Sequence, residues 1–255
     1  MDRRAFLKGA LLTAAGTWSP TGQAIGPGQR LRVTSLRYDG RWEPPTGAAL
    51  LLAQEIRYRT SIDVMEEPTA ITADDPKLAR LPMAVLSGDG DFSLRERERQ
   101  RLKRWIEMGG FLLVDNNGQG NTGSTFRDAV SRELGRMFPR NKLERVSPEH
   151  VVFRSFYRLD YPAGRVIRRP YVEGLRIGRR FGVLVNHNDL LGAFARDGGG
   201  RFLYTPTPGG ENQREMAIRF GVNIAMYALC LHYKDDQVHL DYLLHRRKWR
   251  IEKPQ

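Results

Sequence analysis

Residues 81–117 constrain the fold most, because two apolar segments of strand length flank a charged segment. The apolar segments are residues 83–87 and 110–115, and the apolar residues between them recur at helical spacing. This order is typical of a parallel β-α-β unit, since two parallel strands need a long crossover that is usually a helix. The sequence therefore predicts an α/β protein with parallel strands at its centre.

Further elements are predicted on both sides of this unit. Apolar patterning predicts strands at 32–38, 62–65, 166–169, 181–186 and 201–204, and helices at 47–58, 126–137 and 211–232. Thr46 is expected to cap the first of these helices. Ser93 is expected to cap the helix within residues 81–117, with Glu96 completing a capping box. Because no repeat or internal linker is evident, a single domain is expected.

The chain is basic but otherwise has the composition of a soluble protein. Its 255 residues are 40% hydrophobic and 27% charged, and the mean hydropathy is −0.50. The formal net charge of +12 fits an anionic partner, and it equally fits an arginine-rich composition spread over a solvated surface. No specific nucleic-acid partner is predicted. The single cysteine, Cys230, cannot form an internal disulfide and is expected to be buried in an apolar helix.

The N-terminus has the pattern of an export signal. Arg3 and Arg4 precede an apolar run at residues 9–17, and a small-residue site ends at Ala24. A short amphipathic helix is the alternative, but the paired arginines favour a twin-arginine (Tat) signal cleaved near Ala24. We therefore expect the Tat translocon to be a partner during export and the periplasm to be the destination. The expected organisation is a signal peptide at 1–24, an α/β domain at 25–234 and a basic tail at 235–255.

The C-terminal tail contains a basic amphipathic segment at residues 240–250, which is expected to form a helical appendage. Such a segment can make weak contact with an anionic membrane or with a partner. Its arginine and lysine side chains can equally remain in solvent. No second hydrophobic stretch of the sequence is long enough to span a bilayer.

Polar residues follow the predicted central strands at the points where these strands end. Ligands of open parallel sheets bind beside the carboxyl ends of the strands, so these side chains predict a site for a polar ligand, a cation or acid–base catalysis. The alternative is that Asp and Asn occur there because they end strands and begin turns. The candidate binding residues are Asp39, Trp42, Glu43, Asp89, Asp91, Asn116, Asn117, Asn186 and Asp189.

Asp115 and His187 are the candidate catalytic residues at this edge, with Asp89 as an alternative base. The sequence has neither a spacing typical of zinc ligands nor a nucleophile elbow, so no metal and no cofactor are predicted. An oxygen-ligated Ca²⁺ or Mg²⁺ at Asp89, Asp91 and Asp115 is the alternative, although these residues match no metal-binding motif. The glycine-rich residues 118–124 could cradle a phosphate through backbone N–H groups. They match neither the dinucleotide-binding fingerprint nor the P-loop.

Five segments of the chain resemble one bacterial family in the expected order. They are RVTSLRYDGRWE, VLSGDGDFSLRERERQRLKRWIEMGGFLLVDNN, EHVVFRSFYRLD, VLVNHNDLLGAF and REMAIRFGVNIAMYAL, which together extend over nearly all of residues 30–232. The chain resembles the bacterial domain of unknown function 4159, which is similar to class I glutamine amidotransferase-like and ThuA-like proteins of flavodoxin-type fold. The resemblance implies a single domain with a doubly wound, mostly parallel sheet.

The chain departs from the amidotransferases at the residue that carries their chemistry. Those enzymes have a cysteine immediately after the strand that corresponds to residues 110–115, where this chain has Asn116. Glutaminase activity is therefore not expected. Relatives of this family also occur in membrane proteins or beside MoxR-type ATPases and von Willebrand A proteins, which implies an envelope partner.

Two functional hypotheses follow from these observations. The first is a periplasmic, non-amidotransferase module that binds a polar ligand or an envelope partner through the loops at the carboxyl edge of its sheet. The second is a hydrolase that uses Asp115 or Asp89 together with His187.

Overall fold

A seven-stranded sheet forms the centre of the domain. The computed structural model of the protein describes residues 30–118 and 121–230. The strands are β1 Leu31–Arg37, β2 Val64–Thr72, β3 Met83–Gly88, β4 Phe111–Asn116, β5 Leu143–Arg145, β6 Glu173–Ile177 and β7 Arg180–Asn186. The α-helices of the described residues are α1 Ala48–Arg59, α2 Glu96–Glu107, α3 Asn121–Met137 and α4 Gly210–Leu229.

The strands follow the order β2-β1-β3-β4-β7-β6-β5. Neighbouring strands from β2 to β7 in this order pair in parallel. In contrast, β6 pairs antiparallel with both β7 and β5. The structure therefore confirms an α/β domain with a mostly parallel sheet, and it confirms the β3-α2-β4 unit predicted from residues 81–117.

Helices cover both faces of the sheet because the central strands are apolar on both sides. Leu113 of β4 belongs to the buried cluster shared with α1 and α4. The preceding Leu112 belongs to the cluster shared with α2 and α3. Side chains alternate between faces along a strand, so one apolar strand contributes to two core layers. Each fully buried side chain of this size contributes roughly 1.5–3 kcal/mol.

Both helix caps predicted from the sequence were wrong, for reasons that lie outside the helices. Gly47, with φ at 70°, caps α1 in place of Thr46. The Thr46 carbonyl instead accepts a hydrogen bond from the N–H of Arg196, in a distant loop, at 2.8 Å. Helix α2 begins after Arg95, whose N–H donates to Glu98 at 2.8 Å. Ser93 is held in extended backbone because it forms an isolated antiparallel bridge with Asp39.

The strand predictions were correct for the central strands and failed at the periphery. Strand β2 runs to Thr72 and includes Pro68, which an edge strand tolerates because one side needs no ladder hydrogen bond. The strands predicted at 166–169 and 201–204 are wrong, since each segment makes a single isolated bridge. The short antiparallel strands β5 and β6 were not predicted.

The predicted signal peptide at 1–24 and the basic tail at 235–255 lie outside the described residues. Within residues 30–118 and 121–230, no helix combines the length and apolar character needed to cross a membrane. Cys230 follows the last residue of α4 and is half-buried rather than enclosed in the helix.

Candidate functional site

The carboxyl ends of four strands meet at one edge of the sheet. Strands β1, β3, β4 and β7 are parallel, so each ends at this edge. Ser87 of β3 is the register partner of Asp115 on β4, and Asp115 is in turn the partner of Asn186 on β7. Three polar side chains therefore stand in a row across the end of the sheet, where the sequence alone shows them as three distant residues.

Asp115 is enclosed at the centre of this row and has no solvent exposure. Its Oδ1 accepts hydrogen bonds from Asn186 Nδ2 at 2.8 Å and from the Leu190 N–H at 2.9 Å. Its Oδ2 accepts from the Leu191 N–H at 2.8 Å and from Asn117 Nδ2 at 3.0 Å. These donors occupy the positions that a carboxylate offers. The side chain therefore joins the end of β4 to the short 3₁₀ turn Leu191–Phe194.

Asp189 extends the same network toward the surface. Its Oδ1 accepts from Asn117 Nδ2 at 2.6 Å and from the Gly192 N–H at 3.0 Å, and its Oδ2 pairs with Arg165 Nε. Burial, followed by the charge of Asp189, raises the pKa of Asp115 to about 6, against the opposing effect of its hydrogen-bond donors. Two buried carboxylates thus share one network with a single arginine.

His187 belongs to a second cluster. His187 Nε2 lies 2.8 Å from Glu173 Oε2, and Glu173 Oε1 also accepts from Arg127 Nη2 at 2.8 Å. The hydrogen bond with His187, followed by that with Arg127, lowers the pKa of Glu173 to about 2. In the described part of the chain the polar partner of His187 is therefore Glu173, whereas the hydrolase hypothesis pairs it with Asp115 or Asp89.

The two clusters lie on opposite sides of the sheet. Asp115 contacts Leu190 and Leu191, which belong to the core layer of α1 and α4. Glu173 contacts Arg127 of α3, which lies over the other face. The Ser87 hydroxyl donates to Asn117 Oδ1, which links the Asp115 network to the end of β3 as well.

The acidic side chains of the loops after β1 and β3 pair with arginines instead of with each other. Asp89 pairs with Arg41 at 2.8 Å, and Asp91 pairs with Arg132 at 2.7 Å. Asp39 forms its bridge with Ser93. The remaining candidates of this region are Trp42, which is half-buried against the core layer of α2 and α3, and the exposed Glu43.

Tyr38 occupies the space between the ends of β1 and β3, where strand order changes direction. Its hydroxyl donates to the Ser87 carbonyl at 2.8 Å. Burial, followed by the charge of Asp89, raises the pKa of this phenol. A Cβ at Gly88 would collide with Tyr38 and with Phe126. The crevice expected at this topological position is thus filled by an aromatic side chain.

A loop at residues 162–169 is fixed over the ends of β4 and β7, and the sequence did not predict it. The fully buried Asn188 holds this loop: its Oδ1 accepts from the N–H groups of Arg168 and Arg169, each at 2.9 Å. Its Nδ2 donates to the carbonyls of Pro162 and Arg169, each at 2.7 Å. The sequence contains three arginines between residues 165 and 169. Because a strand was predicted at 166–169, these arginines were not expected to lie in a loop at the edge of the sheet.

Arg168 points back over the edge of the sheet from this loop. Its Nη1 donates to the carbonyl of Asn116, the last residue of β4, at 3.3 Å and to the carbonyl of His187 at 3.2 Å. Next to it, the Arg169 guanidinium lies 5.6 Å from the Tyr171 ring centroid, and Arg145 lies 4.1 Å from the same ring. This end of the sheet therefore presents guanidinium groups and an aromatic ring to solvent.

Within the ranges that the structure describes, no three His, Cys, Asp or Glu side chains are grouped closely enough to hold a metal ion. The carboxylates at the edge of the sheet are taken up by amide, backbone N–H and guanidinium donors. Among the described residues the buried Asn186 Oδ1 has no hydrogen-bond partner, so the edge offers an acceptor as well as hydrogen-bond donors and cations.

A family model described as a domain of unknown function, DUF4159, matches residues 32–229. The chain belongs to this family. The match begins in β1 and ends at the last residue of α4, so the DUF4159 domain includes the whole sheet and both polar clusters. A comparison with curated proteins finds none with significant similarity to the chain.

Proposed function

We propose that this DUF4159 domain is an exported binding module that takes a polar ligand, or a polar segment of an envelope partner, at the carboxyl edge of its sheet. The enclosure of Asp115 carries this proposal. A carboxylate with no exposure and a full set of protein donors is suited to holding a surface in shape. It is poorly placed to take a proton from a substrate, because a general base must come within hydrogen-bond reach of the proton it removes.

The network around Asp115 gives the edge a defined geometry before any ligand arrives. It connects the ends of β3, β4 and β7 through side chains of Ser87, Asn117 and Asn186. Asn188 then fixes the arginine-bearing loop upon this base. Rigid placement of polar groups favours binding because less conformational entropy is lost when the ligand arrives.

The proposal includes a flavodoxin-type fold related to the glutamine amidotransferase-like proteins. The strand order β2-β1-β3-β4 supports this relationship. The first two strands are added toward one side of the sheet and the next two toward the other, as at the switch point of a doubly wound sheet. Asn116 stands where those enzymes have their nucleophilic cysteine, so we do not propose amidotransferase chemistry. We propose export through the Tat translocon into the periplasm, with an envelope partner of the MoxR or von Willebrand A type.

A hydrolase is the second candidate, and one contact favours it. The 2.8 Å hydrogen bond between His187 and Glu173 has the form of a general base and its orienting carboxylate. Against it, His187 is 2% exposed and its Nε2 faces Glu173. Turnover of any ester, amide or phosphoester that is lost in His187→Gln but kept in His150→Gln, whose half-buried ring packs against Phe181 and Tyr227, would favour the hydrolase.

The binding proposal is tested with a ligand panel and a method that locates the bound compound. The exported protein is mixed with sugars, nucleotides and organic acids, and its Tm is measured. A ligand at a hundredfold excess over Kd stabilises the folded state by about 2.7 kcal/mol. Hydrogen exchange with each compound that raises Tm should then show protection at residues 116–118, 162–169 and 186–189. If no compound raises Tm, or if protection falls elsewhere, the proposal is wrong.

A further inference from the structure

Arg168 carries a positive charge that the described protein does not pair with a carboxylate. Within residues 30–118 and 121–230, its polar contacts are the two backbone carbonyls at the ends of β4 and β7. Of the neighbouring guanidinium groups, Arg165 pairs with Asp189, Arg127 pairs with Glu173, and Arg169 donates to the Tyr171 hydroxyl. Arg168 therefore differs from these neighbours: two backbone carbonyls fix its position, and part of its guanidinium forms no hydrogen bond within the described residues.

The two carbonyl contacts set the direction of the guanidinium. Both use Nη1, which leaves Nε and Nη2 without a partner among the described residues. The residue as a whole is exposed, whereas its two contacts with the carbonyls are partly buried. Because its backbone N–H also donates to the buried Asn188, the side chain leaves the loop from an anchored position. A guanidinium held in this way presents two adjacent donors to an incoming group.

The charges that act on Arg168 have both signs. Asp189 and Asp115 are its acidic neighbours and Arg165 is its basic neighbour, and Asp189 is already paired with Arg165. Burial lowers the pKa of the Arg168 guanidinium, and the charges of Asp189 and Asp115 oppose this effect. A bound oxyanion would oppose it further by placing a negative charge directly beside the guanidinium.

We infer that Arg168 is the anchor of an oxyanion site, which binds a carboxylate or phosphoryl group of a small polar ligand in the fork of its guanidinium. This inference rests on the proposed function and specifies its ligand class. Carboxylate and phosphate share the geometry that a guanidinium recognises, namely two oxygens spaced to accept two parallel N–H bonds. The loop held by Asn188 and the carbonyls of Asn116 and His187 place the fork at the carboxyl edge.

Titration calorimetry at low ionic strength tests the inference with two probes, malonate and inorganic phosphate. The wild-type exported protein should bind at least one of them, and the stronger of the two identifies the source of the oxyanion. Arg168→Gln should weaken that binding by at least tenfold, or about 1.4 kcal/mol. Arg168→Lys should weaken it by a smaller factor, because an ammonium keeps the charge but lacks the fork.

Arg101→Gln is the matched control, since Arg101 is an exposed arginine on α2. It should bind within twofold of the wild type. Circular dichroism and Tm check the fold of each variant, and Arg168→Lys carries the test if Arg168→Gln does not fold. The inference is overturned if neither probe binds, if Arg168→Gln or, in its absence, Arg168→Lys binds as the wild type does, or if Arg101→Gln loses as much.

Failure of this inference can be told apart from failure of the proposed function. A neutral sugar that protects residues 116–118 and 186–189, with equal affinity in the wild type and Arg168→Gln, would support the proposed binding module and contradict the oxyanion site. If no ligand binds at this edge, both proposals are wrong.

Discussion

Asn186 and Asp115 are register partners on neighbouring parallel strands, and Asn186 Nδ2 donates to Asp115 Oδ1 at 2.8 Å. This contact joins residues 71 positions apart and lies at the centre of the polar edge. Asp115 is fully enclosed, so no water can take the place of its carboxylate as the acceptor for these hydrogen-bond donors if the side chain is removed. The consequences of changing Asp115 should therefore appear first in stability.

We expect Asp115→Ala to lower the free energy of unfolding by about 3 kcal/mol, because buried amide and N–H donors lose their acceptor. Asp115→Asn should cost about half as much, since one oxygen remains but its NH₂ group faces donors. Urea denaturation measures both changes. Asp91→Asn is the control and should stay within about 0.5 kcal/mol of the wild type, because Asp91 is exposed. An Asp115→Asn variant as stable as the wild type would contradict the structural role.

The raised pKa of Asp115 predicts a specific pH window. Its pKa is about 6 in the folded protein and 3.8 in the reference state, so the folded protein holds the proton more tightly. The stability that this proton contributes is present below pH 3.8 and is lost as the pH rises through 6. The loss should be on the order of 2–3 kcal/mol. Urea midpoints between pH 4 and 7 should show this slope in the wild type, and it should be weaker in Asp115→Asn.

Glu173 should produce the opposite dependence. Its pKa is about 2 in the folded protein and 4.5 in the reference state, so its contribution is present above pH 4.5 and is lost as the pH falls toward 2. Because the hydrogen bond with His187 is the largest cause, His187→Phe should raise the pKa of Glu173. Carboxyl-carbon NMR titration measures this shift. A Glu173 pKa that stays near 2 in His187→Phe would show that Arg127 alone holds it there.

Asn188→Ala should loosen the arginine loop without removing any arginine. Loss of its hydrogen bonds to residues 162–169 leaves backbone groups unpaired and should cost about 2–3 kcal/mol. Amide exchange should speed up at 162–169, and binding of the oxyanion probes should weaken with Arg168 unchanged. Asn141→Ala, which removes one exposed hydrogen bond to Arg176, is the control. Unchanged exchange in this loop would show that Asn188 does not hold it.

Gly88→Ala tests whether Tyr38 closes the space between β1 and β3. The added methyl group would meet Tyr38 and Phe126, so we expect a loss of about 1–3 kcal/mol and a lower Tm. Gly135→Ala in α3 is the matched control, because nothing lies within 4 Å of its added Cβ. That control should gain about 0.5–1 kcal/mol, since alanine suits a helix better than glycine. Equal stability of both variants would indicate that Tyr38 moves aside easily.

Local pattern was sufficient to find the central strands but not the edges of the sheet. The apolar runs that became β3 and β4 need no knowledge of their neighbours, because strands buried on both faces are apolar throughout. Strand β6 begins with Glu173 and Gly174, which disfavour a strand by propensity, and it forms because β7 supplies a hydrogen-bonded partner. Serine is a common helix-capping residue, but pairing with Asp39 holds the backbone of Ser93 in an extended conformation.

The sequence by itself determined that acidic and amide residues stand at the ends of the central strands, because the apolar runs of those strands stop there. Only the tertiary structure decided the partners of those residues. Asp89 and Asp91 meet arginines, Asp115 becomes a buried acceptor, and His187 pairs with Glu173 across the β6–β7 ladder. The reason is that a buried polar group takes whichever complementary group the packing brings within about 3 Å, and that neighbour is set by strand order and register.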